Sequence, residues 1–209
     1  MLASLVFAKR LKKKTLLKGK PFHKIRFYDA LTASGLRALR FRKEMPEDLI
    51  QKVIGCDLSV CAINTFKRNL ILNGLEGDDR IGIQIGDTNQ VMYSTPEPEK
   101  FDIIDLDPYG SMVPFLYTTL NAFHKEGLLC VTCTDTRVLC GSDKHKCYYL
   151  YRSARGGTRT IQEHGLRVAV HTINTMANFL GKSVKVLLAV QSDFYIRVFV
   201  EVRKSKKEC

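Results

Sequence analysis

Short apolar runs alternate with amphipathic stretches along most of this chain, and the alternation predicts strands that are separated by helices. The predicted strands of the first two thirds are 25–29, 53–56, 81–85, 101–106 and 128–133. Helices are predicted over 34–43, 59–73 and 113–124, and a longer one over 160–180. Residues 136–157 lack a clear period and are expected to form an ordered loop with helical turns.

Two further strands are predicted at 184–190 and 194–202, joined by three polar residues as a hairpin. Strands that alternate with helices form a mostly parallel, doubly wound sheet, and the hairpin adds an antiparallel edge. The predicted fold class is therefore α/β, with a mostly parallel seven-stranded sheet. This layout is typical of the Rossmann-like class I S-adenosylmethionine-dependent methyltransferases.

Charge is concentrated in three basic zones, at the N-terminus, between 137 and 167, and at the C-terminus, within a net charge of +12. Such zones suit a polyanion, and nucleic acid is the leading candidate. The expected organisation is a flexible basic segment 1–24, a domain 25–202 and a basic tail 203–209. No apolar run approaches the roughly 20 residues that span a bilayer, so no membrane association is expected.

Seven cysteines occur in mostly apolar surroundings, which favours reduced thiols in an intracellular protein. Cys130 and Cys133 have the spacing of a zinc ligand pair, but they lie in a strand pattern, where positions i and i+3 point to opposite faces. Buried structural thiols are the preferred interpretation, and no metal site is predicted.

Aspartates stand at or beside the ends of the first four predicted strands: Asp29, Asp57, Asp87 and Asp107. Aspartate often ends strands and caps helices, but four such acids in register favour a ligand site at the carboxyl edge of the sheet. Asp57 follows Gly35 by about 22 residues, near the spacing at which an acid reaches ribose hydroxyls. Asp87 could accept a hydrogen bond from an adenine amine, and Arg37 could pair with a ligand carboxylate or with one of the acids, or be an exposed helix residue. The loop 33–37 lacks a glycine-rich phosphate fingerprint, so cationic, phosphate-free S-adenosylmethionine fits better than a dinucleotide.

The turn DPYG at 107–110 could hold a planar amine substrate. Asp107 can accept a hydrogen bond or a proton from the amine, Pro108 fixes the backbone, and Tyr109 offers a face for base stacking. The alternative is a simple turn, since these residues are common in loops.

Several segments resemble the Trm1 family of tRNA guanine-N2 dimethyltransferases: YDALTASGLRALRFRKE (28–44), CDLSVCAINTFKRNLILNG (56–74), FDIIDLDPYGS (101–111), GLLCVTCTDTRVLCG (127–141) and SDFYIRVFVEV (192–202). The resemblance covers about residues 25–202. It implies methylation of the exocyclic N2 of a guanosine near position 26 of tRNA, with S-adenosylmethionine as cofactor. By position, it implies cofactor contacts for Arg37, Asp57, Asp87 and Thr88, a catalytic base-binding turn of Asp107, Pro108 and Tyr109, and a lining role for 134–136.

Two parts of the family pattern have no counterpart in this sequence: an N-terminal Asn-Arg-Asp motif that helps to hold the cofactor, and a C-terminal tRNA-binding region. The alternative function is therefore a truncated or paralogous RNA-binding module that retains the fold without catalysis. A nucleotide-dependent oxidoreductase is disfavoured by the missing glycine fingerprint and by the closing hairpin. The expected compartment is the nucleus, including the nucleolus, with the mitochondrion or cytoplasm as alternatives.

Overall fold

Parallel strands form the sheet of the first half of the chain. They are β1 (Ile25–Asp29), β2 (Ile50–Asp57), β3 (Ile81–Ile85) and β4 (Phe101–Leu106). β1 pairs in parallel with both β2 and β4, and β2 pairs in parallel with β3. Every residue of β4 is buried, as is usual for a parallel strand whose two faces are both covered.

The structure, a computed structural model, describes residues 1–153 and 159–204. The chain divides into two compact units, Met1–Asp105 and Leu106–Cys209. The boundary falls inside β4, within the region 25–202 that was expected to form one domain.

The first unit contains four α-helices: α1 (Leu2–Leu16), α2 (Leu36–Glu44), α3 (Val60–Leu72) and α4 (Thr88–Ser94). Its core includes two stacked aromatic pairs. Phe27 of β1 lies 4.0 Å from Phe41 of α2, and Tyr28 lies 4.4 Å from Phe101 of β4, as distances between ring centroids. The first contact packs α2 against β1, and the second packs β1 against β4.

The described residues of the second unit combine an antiparallel set of strands with four helices. Strand β7 (Tyr195–Lys204) pairs in antiparallel fashion with both β5 (Phe123–Cys133) and β6 (Lys182–Ser192). Ile196, Val198 and Val200 alternate along β7 and are almost completely buried, which is the period of two that the sequence predicts. The helices are α5 (Val113–Asn121), α6 (Thr136–Leu139), α7 (Lys144–Tyr151) and α8 (Ile161–Phe179).

The strand order of the seven-stranded sheet is β3-β2-β1-β4-β5-β7-β6. The predicted fold class is confirmed, with a mostly parallel sheet and a closing antiparallel hairpin.

Helix α5 is shorter, and β5 longer, than the sequence predicts. The helix ends at Asn121 and the strand begins at Phe123, whereas the apolar pattern continues the helix to His124. Residues 126–133 of β5 pair with β7, starting at Glu126 opposite Arg203. Pairing with a strand distant in sequence therefore determines where β5 lies, and the local pattern does not contain that information.

A helix also occupies much of the segment 1–24, which was expected to be flexible. Phe7 and Ala8 of α1 are buried, and the ammonium of Lys12 lies 2.6 Å from a carboxylate oxygen of Asp48. In the expected C-terminal tail 203–209, residues 205–209 lie outside the described part of the structure, as do 154–158 of the second basic zone.

Candidate active site

The carboxylate that ends β1 is fully buried and already has partners. The hydroxyl of Thr32 donates to one oxygen of Asp29 at 2.8 Å, and the Arg37 guanidinium donates to the other from two nitrogens, at 3.0 and 2.8 Å. Arg37 also donates to the carbonyl of Leu31. Burial raises the pKa of Asp29 to about 6, and the charge of Arg37 opposes this shift. The sequence left Arg37 to pair with a ligand carboxylate, to pair with a strand-end acid or to be an exposed helix residue. In the structure it pairs with Asp29.

The loop between β1 and α2 has a backbone that glycine makes possible. Gly35 has φ of +78°, and a Cβ at this position would lie 1.9 Å from a ring carbon of Phe66. Asp57, at the end of β2, holds the loop from its other side: one carboxylate oxygen accepts from the Ala33 N–H at 2.9 Å and the other from the Ser59 N–H at 2.9 Å. Asp57 is only half-buried. Its carboxylate is therefore accessible beside the exposed residue Ala33 of this loop.

The residues that follow β3 are attached to the same neighbourhood of the first unit. The Gly86 N–H donates to the carbonyl of Asp57 at 3.1 Å. Asp87 is exposed and caps α4 by accepting from the Asn89 N–H at 2.8 Å. Thr88 is buried, and its hydroxyl lies 3.0 Å from that of Tyr28. Asp57 and Asp87 therefore present accessible acids, whereas Thr88 packs inward.

In the second unit, the DPYG turn exposes its aromatic ring. Asp107 is half-buried and Pro108 is buried, while Tyr109 has the exposure of a free side chain, at 103%. Gly110 has φ of +84°, in the region that favours glycine. Two hydrogen bonds tie this glycine to the end of β5: its N–H donates to the Thr134 hydroxyl at 2.6 Å, and its carbonyl accepts from the Thr134 N–H at 3.0 Å.

Asp135, the residue after Thr134, is hydrogen-bonded to a buried tyrosine. The hydroxyl of Tyr151 donates to the carboxylate of Asp135, with both oxygens within 2.8 Å. Burial raises the pKa of both groups. A hydrogen bond with Ser111, directly after the turn, acts in the opposite direction on the Tyr151 pKa. Tyr151 thus connects α7 to Ser111, which follows the DPYG turn, and to Asp135, which follows the turn's partner Thr134.

Sequence reasoning identified the acids but missed Thr32 and Tyr151. Thr32 follows Asp29 by three residues, and that spacing is a weak signal for a local side-chain bond. Tyr151 lies 16 residues from Asp135, and no sequence pattern connects the two. Among residues 1–153 and 159–204, no cluster of three or more His, Cys, Asp or Glu side chains could hold a metal ion, and no helix there is long and apolar enough to cross a bilayer.

This strand order, with acids after successive parallel strands and a closing hairpin, is that of the Rossmann-like class I methyltransferases. The model of the family "N2,N2-dimethylguanosine tRNA methyltransferase" matches residues 4–209. The chain belongs to this family, and the resemblance seen in its motifs is confirmed.

Two curated relatives and one solved structure illustrate the similarity. The chain is 41% identical over 179 residues to the tRNA (guanine(26)-N(2))-dimethyltransferase of Mus musculus, covering 85% of this chain and 26% of the mouse protein. It is 37% identical over 187 residues to the mitochondrial tRNA (guanine(26)-N(2))-dimethyltransferase of Saccharomyces cerevisiae, covering 88% of this chain and 32% of that protein. Trm1 from Pyrococcus horikoshii, solved with S-adenosyl-L-methionine, superposes with a TM-score of 0.81 and 30% identity, over 98% of this chain and 56% of that one. The chain thus spans about a quarter to a third of the length of the curated relatives it matches.

Proposed function

We propose that this chain transfers methyl groups from S-adenosylmethionine to the exocyclic N2 of a guanosine in tRNA. The observation that carries the proposal is the DPYG turn, which is tied to Thr134 by two hydrogen bonds while Tyr109 is fully exposed. Membership of the family supports the reaction class. The names of the relatives support guanosine 26 as the target.

Arg37, Asp57, Asp87 and Thr88 are the residues we propose to hold the cofactor. The accessible carboxylates of Asp57 and Asp87 suit a ligand that is cationic at sulfur and carries no phosphate. Nothing lies within 4 Å of where a Cβ of Gly86 would be, so a ligand can approach the backbone there. Arg37 would act from the position fixed by its bonds to Asp29, and Thr88 from its contact with Tyr28.

Asp107, Pro108 and Tyr109 are the residues we propose to act on the guanine. S-adenosylmethionine supplies an electrophilic methyl group. The N2 amine is a weak nucleophile because its lone pair is delocalised into the ring. Asp107 accepts a hydrogen bond from the amine, and it accepts or relays the proton that leaves as nitrogen gains the methyl. Tyr109 stacks on the base and Pro108 keeps the turn rigid. These two residues therefore contribute to catalysis by positioning the amine for methyl transfer.

The tRNA partner is supported by the net charge of +12 and by the basic residues at the surface of α1 and α7. For the compartment, we propose the nucleus, because the lysine cluster of residues 9–20 could act as a nuclear address. The mitochondrion and the cytoplasm are the alternatives: the mitochondrial relative supports the first of these, and imaging of a tagged protein distinguishes the three.

Calorimetry with S-adenosylmethionine and a methyl-transfer assay on unmodified tRNA test the proposal together. We expect saturable cofactor binding, and we expect Asp107→Ala to abolish transfer while cofactor affinity stays within about twofold of the parent's. Asp79→Ala removes an exposed acid from the loop before β3, so it serves as the control and should keep full transfer.

Two results would contradict this proposal. Turnover retained by Asp107→Ala would refute the role of that carboxylate. Absence of saturable binding at millimolar cofactor would favour the alternative for this chain, a non-catalytic RNA-binding module with the methyltransferase fold.

A further inference from the structure

The outer side of helix α7 carries basic and aromatic side chains at regular spacing. Lys144 and Tyr148 are separated by four residues, as are His145 and Tyr149, and all are exposed. Residues four apart lie on the same side of a helix, so Tyr148 has the cation of Lys144 as its neighbour and Tyr149 has the imidazole of His145. Tyr148 and Tyr149 are 61% and 71% exposed. Arg152, the exposed residue that ends the helix, extends the row that contains Lys144 and Tyr148.

The inner side of α7 is firmly attached to the second unit. Cys147 and Tyr151 are buried, the Tyr151 hydroxyl bonds to Asp135, and the Thr172 hydroxyl of α8 donates to the Tyr151 carbonyl at 3.1 Å. Because this side is fixed, the exposed rings project from a rigid support. An ordered aromatic side chain loses less conformational freedom when it binds a ligand than a mobile one does.

A continuous chain of contacts connects α7 to the turn proposed to bind the base. Tyr151 bonds to Asp135, Asp135 follows Thr134, and Thr134 bonds to Gly110 of the DPYG turn in both directions. Helix α7 and the turn therefore belong to one hydrogen-bonded framework within the second unit.

We propose that the outer side of α7 is an RNA-contacting surface, on which Tyr148 and Tyr149 stack with unpaired bases of the substrate tRNA while Lys144 and Arg152 contact its phosphates. This inference rests on the proposed function. Exposed aromatic rings interleaved with cations are the combination that single-stranded nucleic acid requires, because each base offers a π-face and the backbone is anionic. The net charge of +12 matches a polyanionic partner better than an apolar protein surface.

Binding of unmodified tRNA, measured between about 50 and 200 mM salt, separates the two kinds of contact. We expect the double variant Tyr148→Ala/Tyr149→Ala to lose affinity by at least about tenfold, because each replacement removes a ring on which a base stacks. Its salt dependence should match the parent's. The double variant Lys144→Gln/Arg152→Gln should instead reduce the slope of log affinity against log salt by about one to two.

Tyr117→Ala provides the matched control. Tyr117 is an exposed tyrosine of the same unit, 45% accessible on α5, and its loss should leave tRNA affinity unchanged. The replaced side chains of α7 are all exposed, so the variants should keep the parent's melting temperature within a few degrees.

Unchanged tRNA affinity in the tyrosine double variant would overturn the inference and leave this surface to a protein partner. Absence of tRNA binding by the parent chain would overturn both this inference and the proposed function. Where the parent binds tRNA, calorimetry with S-adenosylmethionine and the methyl-transfer assay judge the proposed function and the tyrosine double variant judges this surface, so the two failures are distinguishable.

Discussion

At the residue scale, the ion pair of Arg37 with buried Asp29 has a testable cost. Arg37→Met leaves the carboxylate without its cation. At pH 8 we expect the free energy of unfolding to fall by about 2–4 kcal/mol, because removing one partner of a buried pair costs roughly 3–5 kcal/mol and the Arg37 side chain is 28% exposed. Urea denaturation measures the change. At pH 5 the loss should be smaller, because the pKa of Asp29 is about 6 and a protonated carboxyl needs no cation.

Arg40→Met is the control for this prediction. Arg40 lies on the same helix, but its pair with Glu44 is at the surface, where ion pairs contribute little. Its replacement should have a much smaller effect than that of Arg37. Equal losses from the two variants would contradict the prediction.

The sequence locates the strand-end acids but not what each of them does. Asp29 and Asp57 both end strands, yet Asp29 is fully buried and bonded to Arg37, whereas Asp57 is half-buried and bonded to the backbone N–H groups of Ala33 and Ser59. The difference arises from the path of the loop 30–35 over the sheet. That path depends on the contact between Gly35 and Phe66, two residues far apart in sequence.

At the element scale, the short parallel strands are the part of the fold that sequence predicts best. The bounds of β1, β3 and β4 match the apolar runs because those runs are short and end at polar residues. Helices α4 and α7 carry no such signal, since TNQVMYS and KHKCYYLY lack an apolar stripe. Each instead begins at an aspartate that caps it, Asp87 and Asp143, and caps are weak signals without a following apolar period.

Helix α4 should depend on its cap because it is only seven residues long. Asp87→Ala removes the acceptor for the Asn89 N–H, and we expect a loss of about 1 kcal/mol in the free energy of unfolding. Asp87→Asn keeps a side-chain oxygen in place and should lose only a few tenths of a kcal/mol. Chemical denaturation of both variants measures the effect, and equal losses would show that capping is not its cause.

At the scale of the whole molecule, the order of motifs identifies the family, but the division into units is not visible in sequence. The boundary between Asp105 and Leu106 falls inside β4, a single buried strand. The second unit includes long-range pairing, such as that of β5 with β7, which no local sequence pattern reveals. The resemblance covered 25–202, whereas the family match extends over 4–209 and includes most of α1.

A second buried acid, Asp102, should contribute to the pH dependence of the free energy of unfolding. It is 4% exposed, one of its oxygens accepts from the Arg26 N–H at 2.8 Å, and His23 lies 4.0 Å away. Burial raises its pKa to about 7, against the opposing effect of the Arg26 bond and charge. The folded chain therefore binds a proton at Asp102 more tightly than the unfolded chain does between pH about 4 and 7, and the stability that this group provides is lost as pH rises through that window.

Asp102→Asn removes this titration and keeps an acceptor for the Arg26 N–H. We expect variant and parent to melt at similar temperatures near pH 4, where the parent carboxyl is protonated. The variant should become progressively more stable than the parent up to about pH 7, with a slope of up to one proton. Asp48→Asn should show the opposite sign, because the hydrogen bond from Lys12 lowers the pKa of Asp48 and its contribution is lost as pH falls. Thermal melts from pH 4 to 8 measure Asp102→Asn, and melts extended down to about pH 2 measure Asp48→Asn, because the pKa of Asp48 lies below its ordinary value of 3.8. A difference between Asp102→Asn and the parent that does not change with pH would contradict the assignment of this proton to Asp102.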